Sequence, residues 1–107
     1  TRLYQDSLER AGLEALHPAP DGCARVQEAI SNREYGIKAR NPVTQRARSD
    51  LLHESRRVAE NADATIIGST EIPLALPEKA LGGVPLIDAT DILARELVRA
   101  FAPEKLR

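Results

Sequence analysis

Two short apolar runs constrain this chain more than any other feature: Ala64-Thr65-Ile66-Ile67 and Val84-Pro85-Leu86-Ile87. The first is rich in β-branched residues and predicts a buried strand, and the second predicts another. Helical patterns flank both runs. Strands alternating with helices predict an α/β domain, with a mostly parallel sheet flanked by helices. The first run stops at Gly68 and leads into Ser69-Thr70-Glu71. That turn offers two hydroxyls and a carboxylate in consecutive places. The C-terminal end of a strand is where open α/β sheets put their ligand sites.

The remaining pattern fills in the order of elements. Residues 2–11 place Leu3, Tyr4, Leu8 and Ala11 on one helical stripe, and Gly12 is a natural stop. Residues 13–16 predict a short strand, closed by Pro18 and Pro20. Asp21 is expected to cap a helix running to Ser31, with Val26, Ala29 and Ile30 buried. Residues 35–40 read as a loop or irregular strand, punctuated by Asn41-Pro42. A long helix is expected over residues 43–62. Its inner face carries Ala47, Leu51, Ser55, Val58 and Ala62, widened by Leu52 and Ala59. Arg46, Arg48, Asp50, Glu54, Arg57 and Glu60 fall on the opposite face. Pro73 and Pro77 leave room for one short helical turn at most. The last helix is expected over residues 91–102, with Leu93, Leu97 and Phe101 on one side, Val98 beside them, and Pro103 as its stop.

Composition narrows the function classes. The chain has 107 residues, enough for one domain. It is 42% hydrophobic and 29% charged, with a net charge of −1. That balance does not suit a nucleic-acid footprint and is too apolar for disorder. Aromatics make up 3%, so the core must be aliphatic. No apolar run approaches the roughly 20 residues that span a bilayer, so no membrane partner is expected. The single cysteine, Cys23, fits a reducing cytoplasm. The chain has no methionine and opens on a helical pattern, which suggests a piece of a longer polypeptide.

Taken alone, Ser69-Thr70-Glu71 fits better a strand-to-helix turn in which a hydroxyl caps the next element. No Gly-x-Ser-x-Gly elbow surrounds Ser69, and no neighbouring base is evident for it. His17 sits in a loop and His53 on the solvated side of the long helix, so neither makes a triad. Cys23 reads as a small apolar packing residue within a helix.

Three segments resemble the aspartate/glutamate racemase family, in order and at the family's spacing. The run IIGSTEIPLAL, residues 66–76, is similar to the family's second cysteine motif, with Ser69 at the cysteine position. Tyr35-Gly36-Ile37-Lys38 resembles the upstream Tyr-Gly-apolar-Lys motif. VPLIDATDILARELV, residues 84–98, resembles the closing strand and helix. The resemblance covers nearly the whole chain but only the second half of a family member. It implies one lobe of a two-lobed fold in which each lobe supplies one cysteine to a shared cleft. One thiolate takes the α-proton of an amino acid and the other thiol protonates the opposite face, without metal or other cofactor.

Carried onto this chain, the resemblance gives Ser69 the place of the second catalytic cysteine. Glu71 would orient or tune the group at that place. Thr70 would offer its hydroxyl and amide to a substrate carboxylate, and Lys38 would neutralise one. Asp88 and Thr90 read instead as caps of the last helix. A serine hydroxyl titrates far above a thiol, whose pKa is about 8.5. The chain alone is therefore expected not to racemise its amino-acid or dicarboxylate substrate. Two alternatives keep the scaffold: an isomerase or decarboxylase of the maleate isomerase, hydantoin racemase or arylmalonate decarboxylase type, or a non-catalytic carboxylate-binding module. The apolar stripe of the last helix is expected to pack on a first lobe or a partner, predicting a homodimer.

Overall fold

The computed structural model describes residues 3–102 and 104. Arg2 and Pro103, which bear on the expected helix ends, lie outside them. Helix α1 spans Leu3–Arg10. It closes at Gly12, whose φ of +82° is left-handed, while the Leu13 amide donates back to the Leu8 carbonyl at 2.9 Å. The strand expected at residues 13–16 does not form. No neighbouring strand pairs with that segment, and Leu13 and Leu16 stay exposed.

Helix α2 spans Pro20–Ser31. Its N-cap is Ala19 and Pro20 sits in the first turn, so Asp21 lies inside the helix instead of capping it. A proline already has helical φ and needs no amide partner there. The buried face is as expected: Ala29 is fully buried, and Val26 and Ile30 pack against the core.

The turn after α2 folds back on it. The Ile37 amide donates to the Ala29 carbonyl and the Lys38 amide to the Ile30 carbonyl. Gly36 makes this possible, since a Cβ there would stand 2.6 Å from the backbone N and O of Asn32. Thr44 then joins the turn to helix α3, Gln45–Ala59. Its hydroxyl donates to the Tyr35 carbonyl at 2.6 Å and accepts from the Ala47 amide at 3.1 Å.

Ala47 and Leu51 of α3 meet Ala29, Ile37, Ala75 and Leu76 in an aliphatic core. Glu54 departs from expectation. It is 3% exposed, in the α2–α3 interface instead of on the solvent face. Arg25 and Arg57 reach its Oε1 at 2.6 and 3.0 Å, and Arg57 also pairs with Asp21 at 3.3 Å. Two guanidinium groups compensate the burial of one carboxylate.

Three strands form one sheet in the order β1-β3-β2: β1 is Thr65–Ile67, β2 Ala80–Leu81 and β3 Val84–Asp88. β1 and β3 are parallel, while β2 and β3 are antiparallel. The α/β class holds, with a mixed sheet instead of a mostly parallel one. The cause is the β2–β3 hairpin, turned by Gly82 and Gly83 at φ +57° and +80°. Helix α4 is the single turn Ile72–Ala75. Helix α5, Ala89–Phe101, starts two residues before the expected Asp91, because the Asp88 side chain caps it by accepting from the Thr90 and Asp91 amides. None of its residues is buried.

Candidate functional site

β1 and β3 run parallel and end together, with Ile67 opposite Asp88. Polar residues therefore gather at one end of the parallel pair. On the β1 side the chain passes through Gly68 into Ser69, Thr70 and Glu71 before α4 begins.

Ser69 and Glu71 bond reciprocally. The Ser69 hydroxyl donates to Glu71 Oε2 at 2.7 Å, and the Glu71 amide donates to Ser69 Oγ at 3.2 Å. The second bond closes a short hydroxyl-to-backbone turn. Glu71 occupies the N-cap position of α4 but its side chain makes no cap bond, being turned toward Ser69 instead. Lys38 reaches this pair from the turn after α2, its Nζ 3.8 Å from Glu71 Oε1. Thr70 is exposed beside them.

The Ser69 hydroxyl holds the Glu71 carboxyl below the usual carboxylate range. Partial burial opposes this, while the Glu71 amide, the Thr70 hydroxyl and the Lys38 charge act with Ser69. Glu71 is thus an ionised acceptor at neutral pH. The structure brings this carboxylate, two residues along the turn, into direct contact with the Ser69 hydroxyl as its nearest base. Its lowered pKa makes it a poor one. The Lys38 side chain is 59% exposed.

The other candidates stand apart from this cluster. His17 contacts Gln5 at 3.2 Å, and His53 lies exposed on α3. Cys23 is exposed, with its thiol directed at the Pro18 carbonyl, so it is not the packing residue expected. Asp88 caps α5 as expected, and Thr90 supplies only its backbone amide to that cap. A shallow surface concavity of about 390 Å³ lies along α3 by His53 and Arg56, away from Ser69. Among the described residues, no group of three or more His, Cys, Asp or Glu is gathered to hold a metal. No helix among them is long and apolar enough to cross a membrane.

One neighbour of the site is not legible along the chain. The Tyr4 ring, from α1, lies over Gly68. The contact is long-range, and Tyr4 otherwise reads as one more residue of a helical stripe.

An α/β chain with hydroxyl, carboxylate and ammonium groups at the end of a parallel strand pair has the layout of a small-molecule site. Residues 1–97 match the family model for Asp/Glu/Hydantoin racemase, and the chain belongs to that family. Family membership supports a racemase or isomerase type of function acting on a small molecule. No curated protein and no solved structure matches the chain significantly.

Proposed function

We propose that this chain is the C-terminal lobe of a cofactor-independent aspartate/glutamate-type racemase, and that it binds an amino acid or dicarboxylate without turning it over by itself. The observation that carries this reading is the Ser69–Glu71 pair with Lys38 beside it. Lys38 and Thr70 are the donors for a substrate carboxylate. Ser69 stands where proton transfer at the α-carbon calls for a thiolate. Its hydroxyl is a donor to a carboxylate that is already ionised and weakly basic. Such a hydroxyl keeps its proton, so the α-proton finds no competent base at this position. Glu71 fixes the hydroxyl's direction and so positions it.

The test has two measurements. Calorimetry with L- and D-aspartate should give heat of binding at millimolar ligand. Chiral chromatography should show no interconversion of aspartate or glutamate. Turnover at ordinary enzyme rates would sink the proposed need for two thiols. Absence of binding would sink the carboxylate site.

The reading extends to assembly. Leu93, Leu97 and Phe101 on α5 are all exposed, Phe101 at 84%. We assign this stripe to contact with a companion lobe or a second copy, with a homodimer as the form expected of the chain alone. Sedimentation at micromolar concentration should show the dimer, and a stable monomer there would remove it. The lone exposed Cys23 is consistent with a cytoplasmic setting.

A further inference from the structure

The contact between Tyr4 and Gly68 joins α1 to the start of the site. A Cβ atom on Gly68 would stand 3.2 Å from Tyr4 Cε2, 3.5 Å from Cζ and 3.6 Å from the phenol oxygen. Gly68 does not have a positive φ, unlike Gly12, Gly82 and Gly83. Its backbone conformation therefore does not call for glycine. The space above it is taken by the hydroxyl end of the ring, which a Cβ would press by a few tenths of an ångström. Gly68 immediately precedes Ser69, so this ring borders the residue at the centre of the site.

Tyr4 is 44% exposed, which leaves part of the ring as free surface. Its hydroxyl makes no hydrogen bond to another described residue. An aromatic ring has only two side-chain torsions, so it forms a stiff wall at small entropic cost. A half-exposed ring beside Gly68 stands at the edge of the Ser69 turn, where it can wall one side of the space a ligand would enter.

We propose that Tyr4 is a specificity-determining residue of this site, bounding the space for the ligand's side chain and favouring the shorter acidic amino acid over the longer one. The inference rests on the reading that an amino acid or dicarboxylate binds beside Ser69. Aspartate and glutamate differ by one methylene, and a pocket discriminates such pairs by about tenfold or more. Truncating the ring opens the space that excludes the extra methylene.

Calorimetry with L-aspartate and L-glutamate on the chain, Tyr4→Phe and Tyr4→Ala tests this. Tyr4→Phe keeps the wall and should keep the ratio of the two dissociation constants. Tyr4→Ala should move that ratio about tenfold toward glutamate. Tyr4→Leu carries the same comparison if circular dichroism shows Tyr4→Ala unfolded. Tyrosine emission gives a second readout, since the chain has two tyrosines and no tryptophan. The other, Tyr35, lies under Arg46 at 3.9 Å, in the turn before α3. L-Aspartate should alter emission in the chain and in Tyr35→Phe, but not in Tyr4→Phe. If aspartate binds yet Tyr4→Ala keeps the original ratio and Tyr4 emission ignores the ligand, the assignment is overturned and the carboxylate site stands. If the unsubstituted chain binds neither amino acid, the carboxylate site falls and this assignment falls with it.

Discussion

Ser69 Oγ lies 2.7 Å from Glu71 Oε2, and the hydroxyl is the donor. This contact is the largest of the influences that favour the ionised form of Glu71. A hydroxyl that donates to a carboxylate stabilises its ionised form. The same contact ties up the hydroxyl's proton. The pair is therefore arranged for holding charge in place, in a family whose resemblance implies proton transfer at this position.

Replacing Ser69 by Ala should raise the Glu71 pKa, since the Ser69 bond is the largest cause of its depression. Lys38→Ala should raise it less, because the Lys38 charge contributes least to the depression. Carboxyl-carbon NMR titration of Glu71 in the three proteins measures both shifts. The folded pKa is lowered, so the stabilisation from Glu71 is present above the ordinary carboxylate range and is lost as pH falls through the folded value. An unchanged titration in Ser69→Ala would contradict the contact.

Arg48 holds Glu78 through two bonds, of 3.0 and 2.6 Å, and also donates to the Ala75 carbonyl at 2.7 Å. The forked guanidinium lowers the Glu78 pKa to about 2. Stability from this pair is complete above the usual glutamate range and is lost as pH falls from there toward 2. Glu78→Gln should cost roughly 1 kcal/mol at neutral pH, the pair being partly solvated. It should also flatten the acid limb of a stability-against-pH curve from urea titrations. A parallel acid limb in the variant would count against the assignment.

Gly22 sits against the buried Glu54. A Cβ there would stand 2.3 Å from Glu54 Oε2 and 3.2 Å from Pro18 Cβ. Helix propensity alone favours alanine over glycine by about 1 kcal/mol. Overpacking reverses the sign, so Gly22→Ala should destabilise by about 1–3 kcal/mol. In a Glu54→Ala background that cost should shrink by about 1 kcal/mol or more, because the obstructing carboxylate is gone. A double-mutant cycle from chemical denaturation gives the coupling directly.

Leu51 and Leu97 are the same residue in opposite settings. Leu51 is 2% exposed in the core, and Leu97 lies exposed on α5. Leu51→Ala should cost about 2–5 kcal/mol through lost burial and a residual cavity. Leu97→Ala should change protomer stability by no more than about 0.5 kcal/mol. Its effect should appear instead in the sedimentation of the proposed dimer. Equal losses in thermal denaturation would mean that α5 is covered within the chain.

The sequence by itself determined what depends on neighbours along the chain. Apolar periodicity found α2 with Ala29 on its buried face and α3 with Leu51. The runs at β1 and β3 and the stop at Gly12 are likewise local signals. The α/β class and the polar turn at the end of β1 follow from these. The tertiary structure alone decided what depends on distant partners. Residues 13–16 are mostly apolar, but no strand lies beside them to pair with. Glu54 belongs by spacing to the polar face of α3, yet it is buried because Arg25 arrives from α2. β2 is too short to carry a pattern and exists because the two glycines turn it onto β3. Lys38 meets Glu71, and Tyr4 meets Gly68, only through packing of separate elements. Periodicity records which side of an element is apolar. It holds no record of which charge or ring another element will bring to that side.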